Sequence, residues 1–138
     1  MKRWKPPQLI AARTCYDHLA GRYGVALFDA LLIQGVIKEP TEVRGDVELG
    51  TRGVERLEQF GLNLNALRRE HRRFAFACPD WTEQHPHLGG ALGAALWTTL
   101  MERGWAVKQQ GTRAIIITDV GKQYLYEQFG VQVEKETV

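Results

Sequence analysis

The sequence contains no serine, which excludes every mechanism built on a serine nucleophile. Only two cysteines, Cys15 and Cys78, occur in 138 residues. A secreted scaffold of this size held by disulfides carries more, so reduced thiols and a cytoplasmic location are expected. No apolar run approaches the roughly 18 residues that cross a bilayer. The basic start, Met1-Lys2-Arg3-Trp4-Lys5-Pro6-Pro7, is followed by no sustained apolar stretch with a cleavage site, so no signal peptide and no membrane contact are expected. Neither charge dominates: 18 Lys and Arg stand against 16 Asp and Glu, a net +2. A dedicated DNA reader shows a stronger basic bias on one face.

What the chain does have is an internal echo. His18-Leu19-Ala20-Gly21-Arg22-Tyr23-Gly24-Val25-Ala26-Leu27 is matched by His87-Leu88-Gly89-Gly90-Ala91-Leu92-Gly93-Ala94-Ala95-Leu96, at an offset of 69. The match continues through Leu31/Leu100 and Gly35/Gly104, and Glu58-Gln59-Phe60-Gly61 recurs letter for letter as Glu127-Gln128-Phe129-Gly130. This period is too long for a solenoid and points to duplication of a small domain. Two such copies are expected to pack about a pseudo-two-fold axis.

In each copy the apolar residues (19, 23, 26, 27, 31 and 88, 92, 95, 96, 100) form the stripe of an amphipathic helix. Gly35 and Gly104 stand where left-handed caps end helices. Gly24 and Gly93 imply close backbone packing or a helix break. Two β-hairpins are expected, Val36-Ile37-Lys38 with Val47-Glu48-Leu49, and Trp105-Ala106-Val107-Lys108 with Ala114-Ile115-Ile116-Ile117. Final helices over 52–60 and 119–129 follow, with Thr51 and Thr118 as N-caps. The fold class is then α+β, mostly helical: two tandem winged-helix-like repeats, 8–61 and 78–130, joined by a helical linker 62–77 and ending in a tail 131–138. The helical stretches 24–34 and 91–102 contain no Lys or Arg, so neither reads as a groove-reading helix.

Several side chains qualify as sites. Cys15, Asp17 and His18 correspond to Cys78, Asp80 and His87, with His85 nearby. Two thiolates and two imidazoles suit Zn²⁺ or another thiophilic metal. The spacing is unlike a zinc finger: two residues separate Cys15 from His18, and eight separate Cys78 from His87. Capping and core packing explain the same residues without a ligand, and a redox-sensing thiol pair is a further reading. His85-Pro86-His87 reads better as a helix-entry turn than as a chelating pair. Tyr16, Trp81, Trp97 and Trp105 are candidates to line an effector pocket, with ordinary core packing the preferred alternative. Arg68, Arg69, Arg72 and Arg73 are candidates for phosphate contact, against a solvated helix face. Cys15 and His18, three apart, would share a face if helical. Nothing supplies an oxyanion site, so an enzyme is not expected.

Two segments carry a family resemblance: Ala12-Arg13-Thr14-Cys15-Tyr16-Asp17-His18-Leu19-Ala20-Gly21, and Cys78-Pro79-Asp80-Trp81-Thr82-Glu83-Gln84-His85-Pro86-His87-Leu88. They resemble the C-terminal half of bacterial ArsR-type winged-helix regulators, over about Ala11 to Gly130. The resemblance implies a role in transcription regulation, a homodimer, and DNA contact only through an N-terminal reader missing from this sequence. It also implies stimulus sensing, which commonly uses cysteines in such regulators. The expectation is an effector-sensing and dimerisation domain answering a small effector. A metal or thiol-redox sensor, and a ligand-free dimerisation module, are the alternatives.

Overall fold

The computed structural model describes residues 6–133; the basic start 1–5 and the expected tail beyond residue 133 lie outside the described residues. Helix α1 (Pro7–Ala11) leads into the antiparallel hairpin of β1 (Arg13–Cys15) and β2 (His18–Ala20), then α2 (Gly21–Ile33) and α3 (Gly53–Gln59). The chain continues through α4 (Leu64–Arg68), β3 (Phe76–Pro79), β4 (Pro86–Gly89) and α5 (Gly90–Glu102). It ends with β5 (Ala106–Lys108), β6 (Ile115–Ile117) and α6 (Asp119–Phe129). The small sheets are all antiparallel pairs, giving a mixed α and β architecture. The order helix, hairpin, thirteen-residue helix, extended pair, helix occurs in the first half and again in the second.

The hairpin that precedes each long helix was not foreseen. Cys15 and His18 do not share a helix face; they sit opposite each other across β1 and β2. The segment His85-Pro86-His87 is no helix-entry turn either, because Pro86–Gly89 is a strand paired with β3. The second expected hairpin forms as β5 and β6. The first is reduced to the bridge Ile37↔Leu49, flanked by hydrogen bonds from Lys38 N–H to Glu48 O at 2.8 Å and from Gly50 N–H to Val36 O at 2.8 Å. The segment before Leu49 pairs with the second half instead: Val47 N–H donates to Ala75 O, and Gly45 O accepts from Ala77 N–H, both at 3.0 Å. In return, Thr14 N–H donates to Arg113 O and Ile115 N–H to Ala12 O, also at 3.0 Å. Each half thus satisfies backbone groups of the other.

Thr118 caps α6, accepting from Gly121 N–H at 3.0 Å, whereas Thr51 caps nothing: α3 starts at Gly53, with Arg52 at its cap position. The helical pattern over 63–73 yields only α4, capped by Asn63. Gly35 and Gly104 do take left-handed backbone, at φ 73° and 71°, just past the long helices.

Gly24 and Gly93 mark close packing and not a break. A Cβ on Gly24 would lie 2.5 Å from Leu19 O and 3.4 Å from His87 Cβ; on Gly93 it would lie 2.3 Å from Leu88 O and 3.3 Å from His18 Cβ. Helix α2 packs on β4 and α5 on β2, so each long helix covers the hairpin of the opposite half. One apolar cluster runs through both halves and includes Phe28, Leu31, Leu57, Leu96, Leu100 and Leu125. Phe60 and Phe129 meet edge to face at 4.9 Å, with Arg56 donating to Gln128 O and Arg103 to Phe60 O beside them. Burial on this scale, at about 25 cal/mol per Å² of apolar surface, is what holds the halves together.

Candidate metal centre

The two hairpins meet through β2 and β4. Cys15 pairs with His18 and Cys78 with His87 at equivalent register positions; the first pair ends its ladder, and the second stands one step before the closing pair Pro79 and Pro86. The spacing mismatch in the sequence is therefore a loop effect: a tight turn at Tyr16-Asp17 closes one hairpin, and residues 80–85 extend the other. Tyr16 takes φ 61° to make the tight turn.

One donor atom from each of Cys15, His18, Cys78 and His87 can be chosen so that all lie within 4.8 Å of one another. Tetrahedral Zn²⁺ with bonds of about 2.3 Å to sulfur and 2.0 Å to nitrogen separates its ligand atoms by about 3.3–3.8 Å. Small side-chain rotations close that gap. The imidazole rings are buried and only 4.9 Å apart by centroid. Nε2 of each is buried with no hydrogen-bond partner. A buried polar atom left unpaired costs about 1–3 kcal/mol, and two of them face one small site. That is the signature of donors awaiting a ligand, and the residues present fit a thiophilic divalent ion.

The outward nitrogens are held by carboxylates. His87 Nδ1 lies 2.7 Å from Asp80 Oδ1, and His18 Nδ1 lies 3.4 Å from Asp17 Oδ1. An ionised carboxylate only accepts, so Nδ1 carries the hydrogen and Nε2 of the neutral ring keeps its lone pair for a metal. Asp80 is itself saturated. It accepts from Gly21 N–H at 2.8 Å, Thr82 N–H and Glu83 N–H at 3.0 Å, Thr82 Oγ1 at 3.1 Å and Arg13 Nη2 at 3.0 Å. Burial alone would raise its pKa, but His87, these backbone donors and Arg13 outweigh burial and keep it well below the ordinary carboxylate range. Arg13 also donates to Leu9 O at 2.9 Å and Thr82 Oγ1 at 3.0 Å. Asp17 instead takes a bidentate Arg72, at 2.6 and 3.3 Å, whose hydrogen bonds lower its pKa against partial burial.

The thiols are unequal. Cys78 beside it, then the rings of His18 and His87, favour the Cys15 thiolate and pull that group far down from its usual value. Cys78 is pushed up, first by Cys15 and then by burial. For His87, burial opposes the charged ring, yet Asp80 and Cys15 outweigh it and raise its pKa. A bound cation would draw both thiols to the thiolate form, placing two negative charges on the sulfurs.

The remaining predicted residues disperse. His85 lines a separate cleft with Glu39, Glu42 and Glu83. The four aromatics share no pocket: Tyr16 is 91 % exposed, Trp97 and Trp105 are core, and Trp81 lies at the surface with Arg13 at 5.1 Å. Trp105 stacks on Tyr124 at 5.2 Å. Of the arginines, Arg72 holds Asp17, Arg73 pairs with Asp46 at 2.7 Å, Arg68 lies over Phe74 at 4.1 Å, and Arg69 is exposed. Sequence reasoning missed Arg13, Thr82 and the supporting role of Arg72. A signal for the turn itself was present, since an Asp side chain readily accepts from the backbone N–H two residues on, as Asp80 does from Thr82.

No protein-family profile and no solved structure matches the chain significantly. It is similar to the uncharacterized HTH-type transcriptional regulator YdfF of Bacillus subtilis (strain 168), 39% identical over 122 residues. That match spans 88% of this chain and 53% of the relative, so the chain covers about half of the relative's length. Among the described residues no helix is long and apolar enough to cross a membrane.

Proposed function

We propose that this chain is the sensing and dimerisation module of an ArsR-type helix-turn-helix regulator, and that its stimulus is a thiophilic divalent metal, with Zn²⁺ as the model ion. The observation that carries the metal reading is the convergence of Cys15, His18, Cys78 and His87 with two buried, unpartnered Nε2 atoms. The similarity to a transcriptional regulator carries the regulatory reading and gives no support to an enzyme. The module consists of two copies of one unit about a pseudo-two-fold axis. Residue pairs 69 apart that touch each other support this, namely His18 with His87 and Phe60 with Phe129. In this reading α4 opens the second unit as α1 opens the first.

Each half supplies one sulfur and one nitrogen, so metal binds only when the halves are docked. Binding therefore shifts the population toward the docked state. The buried faces of α2 and α5 support assigning DNA contact to parts of such a regulator outside the matched stretch. Titration of the reduced chain with Zn²⁺ against a chromogenic chelator tests the reading. One equivalent is expected, lost in Cys78→Ala, with no sequence-selective shift of DNA by this chain in a gel. No uptake, or uptake unchanged in Cys78→Ala, removes the metal stimulus.

A further inference from the structure

The same four-ligand site, if it holds metal as proposed, borders an open cavity. A cavity of about 420 Å³ is lined by Arg13, Cys15, Pro79, Trp81, His87 and Arg113. Cys15 is half-buried and reaches this cavity; both imidazoles are buried beneath the surface. Cys78 is also half-buried but is not part of the cavity wall. A small molecule entering here reaches the Cys15 sulfur, with the Cys78 sulfur no more than 4.8 Å from it.

We infer that Cys15 and Cys78 form a peroxide-driven disulfide that displaces the metal, making the site a modification site as well as a binding site. The Cys15 sulfur attacks the terminal oxygen of a hydroperoxide; the S–O bond forms, the O–O bond breaks, and the alcohol or water leaves. Cys15 is then a sulfenic acid. The Cys78 sulfur attacks it, the S–S bond forms, the S–O bond breaks, and hydroxide leaves as water with the thiol proton. Two sulfurs lose one electron each and one hydroperoxide is reduced. A disulfide needs its sulfurs about 2.05 Å apart, so the pair closes by less than 3 Å from its present separation. Both thiols are free in the structure, on strands of different hairpins, so the bond would tie the two halves covalently while withdrawing half of the ligand set.

The geometry also points to the order of events. Cys15 lines the cavity and is the attacking sulfur; Cys78, which is not part of the cavity wall, resolves it.

The test uses the full chain, reduced and freed of metal. One equivalent of hydrogen peroxide is expected to consume both thiols and lower the intact mass by two hydrogens, with no cross-linked dimer on a non-reducing gel. The oxidised chain then takes up no Zn²⁺, and dithiothreitol restores uptake. In Cys78→Ala the reaction is expected to stop at a dimedone-trappable sulfenic acid on Cys15. Surviving thiols, a disulfide between chains, oxygen gain without a disulfide, or an oxidised chain that still binds Zn²⁺ each overturns the inference. A reduced chain that binds no Zn²⁺ overturns the metal reading and the exchange with it. A reduced chain that binds Zn²⁺ but forms no disulfide overturns the exchange alone.

Discussion

The two hairpins offer the same pair of ligands on opposite kinds of support. In the first, the turn is tight and Asp17 steadies His18 from the surface, its side chain 37% exposed and that of Arg72 34%. In the second, the loop is long enough to fold back, and Asp80 steadies His87 from the interior, with side-chain exposures of 0% for Asp80 and 2% for Arg13. A buried ion pair and a surface one differ in what they do when cut. The buried one leaves an uncompensated charge in the core, and the surface one returns its partner to water. The Asp80–Arg13 pair, which joins the two hairpins, is therefore built into the fold, while the Asp17–Arg72 pair adjusts its ligand without carrying the fold.

The largest effect expected from this contrast is in Asp80→Ala. Arg13 would be left buried without its carboxylate, at a cost of about 3–5 kcal/mol, read by urea unfolding of the metal-free chain. A loss below about 1 kcal/mol would place Asp80 in the same class as a surface pair and erase the contrast. Next come Gly24→Ala and Gly93→Ala. Each Cβ would collide with the carbonyl of the preceding strand and press on the ligand histidine of the other half, at about 1–3 kcal/mol. Here the halves should behave alike, and a wide split between the two variants would argue against equivalent environments.

Asp17→Asn cuts the surface pair. Stability of the metal-free chain should change by under about 1 kcal/mol, while Zn²⁺ affinity falls about 10–100-fold through the loosened His18 ring. Competition with a chelator reads this directly, and an unchanged affinity would detach Asp17 from the site. Smallest is Arg72→Gln, which should weaken Zn²⁺ binding less than Asp17→Asn does. The difference from the unsubstituted chain should shrink further at high salt, because the pair is solvent-exposed.

Much of this contrast was hidden in the sequence. The 69-residue echo placed both long helices, their glycine exits and the last helix, because helical periodicity and capping are local signals. The hairpins that open each half were invisible: three- and four-residue strands rich in His, Cys and Pro carry no alternating pattern. The four ligands were found through the echo, but their pairing was obscured by a loop that changes spacing without changing register. Arg13 could not be recognised, since its role depends on Asp80, which lies 67 positions away. Arg72 and Arg73 looked like anion contacts because a run of arginines does not reveal which of them meet Asp17 and Asp46.

In the proposed centre one metal ion is shared by equivalent ligands from the two halves of a single chain. Cobalt substitution followed by X-ray absorption decides this. One Co²⁺ per chain is expected, in a tetrahedral shell of two sulfurs and two imidazole nitrogens. That shell should disappear in the Cys15→Ala, Cys78→Ala double variant. Half an equivalent per chain, or an octahedral shell of oxygens, would contradict it.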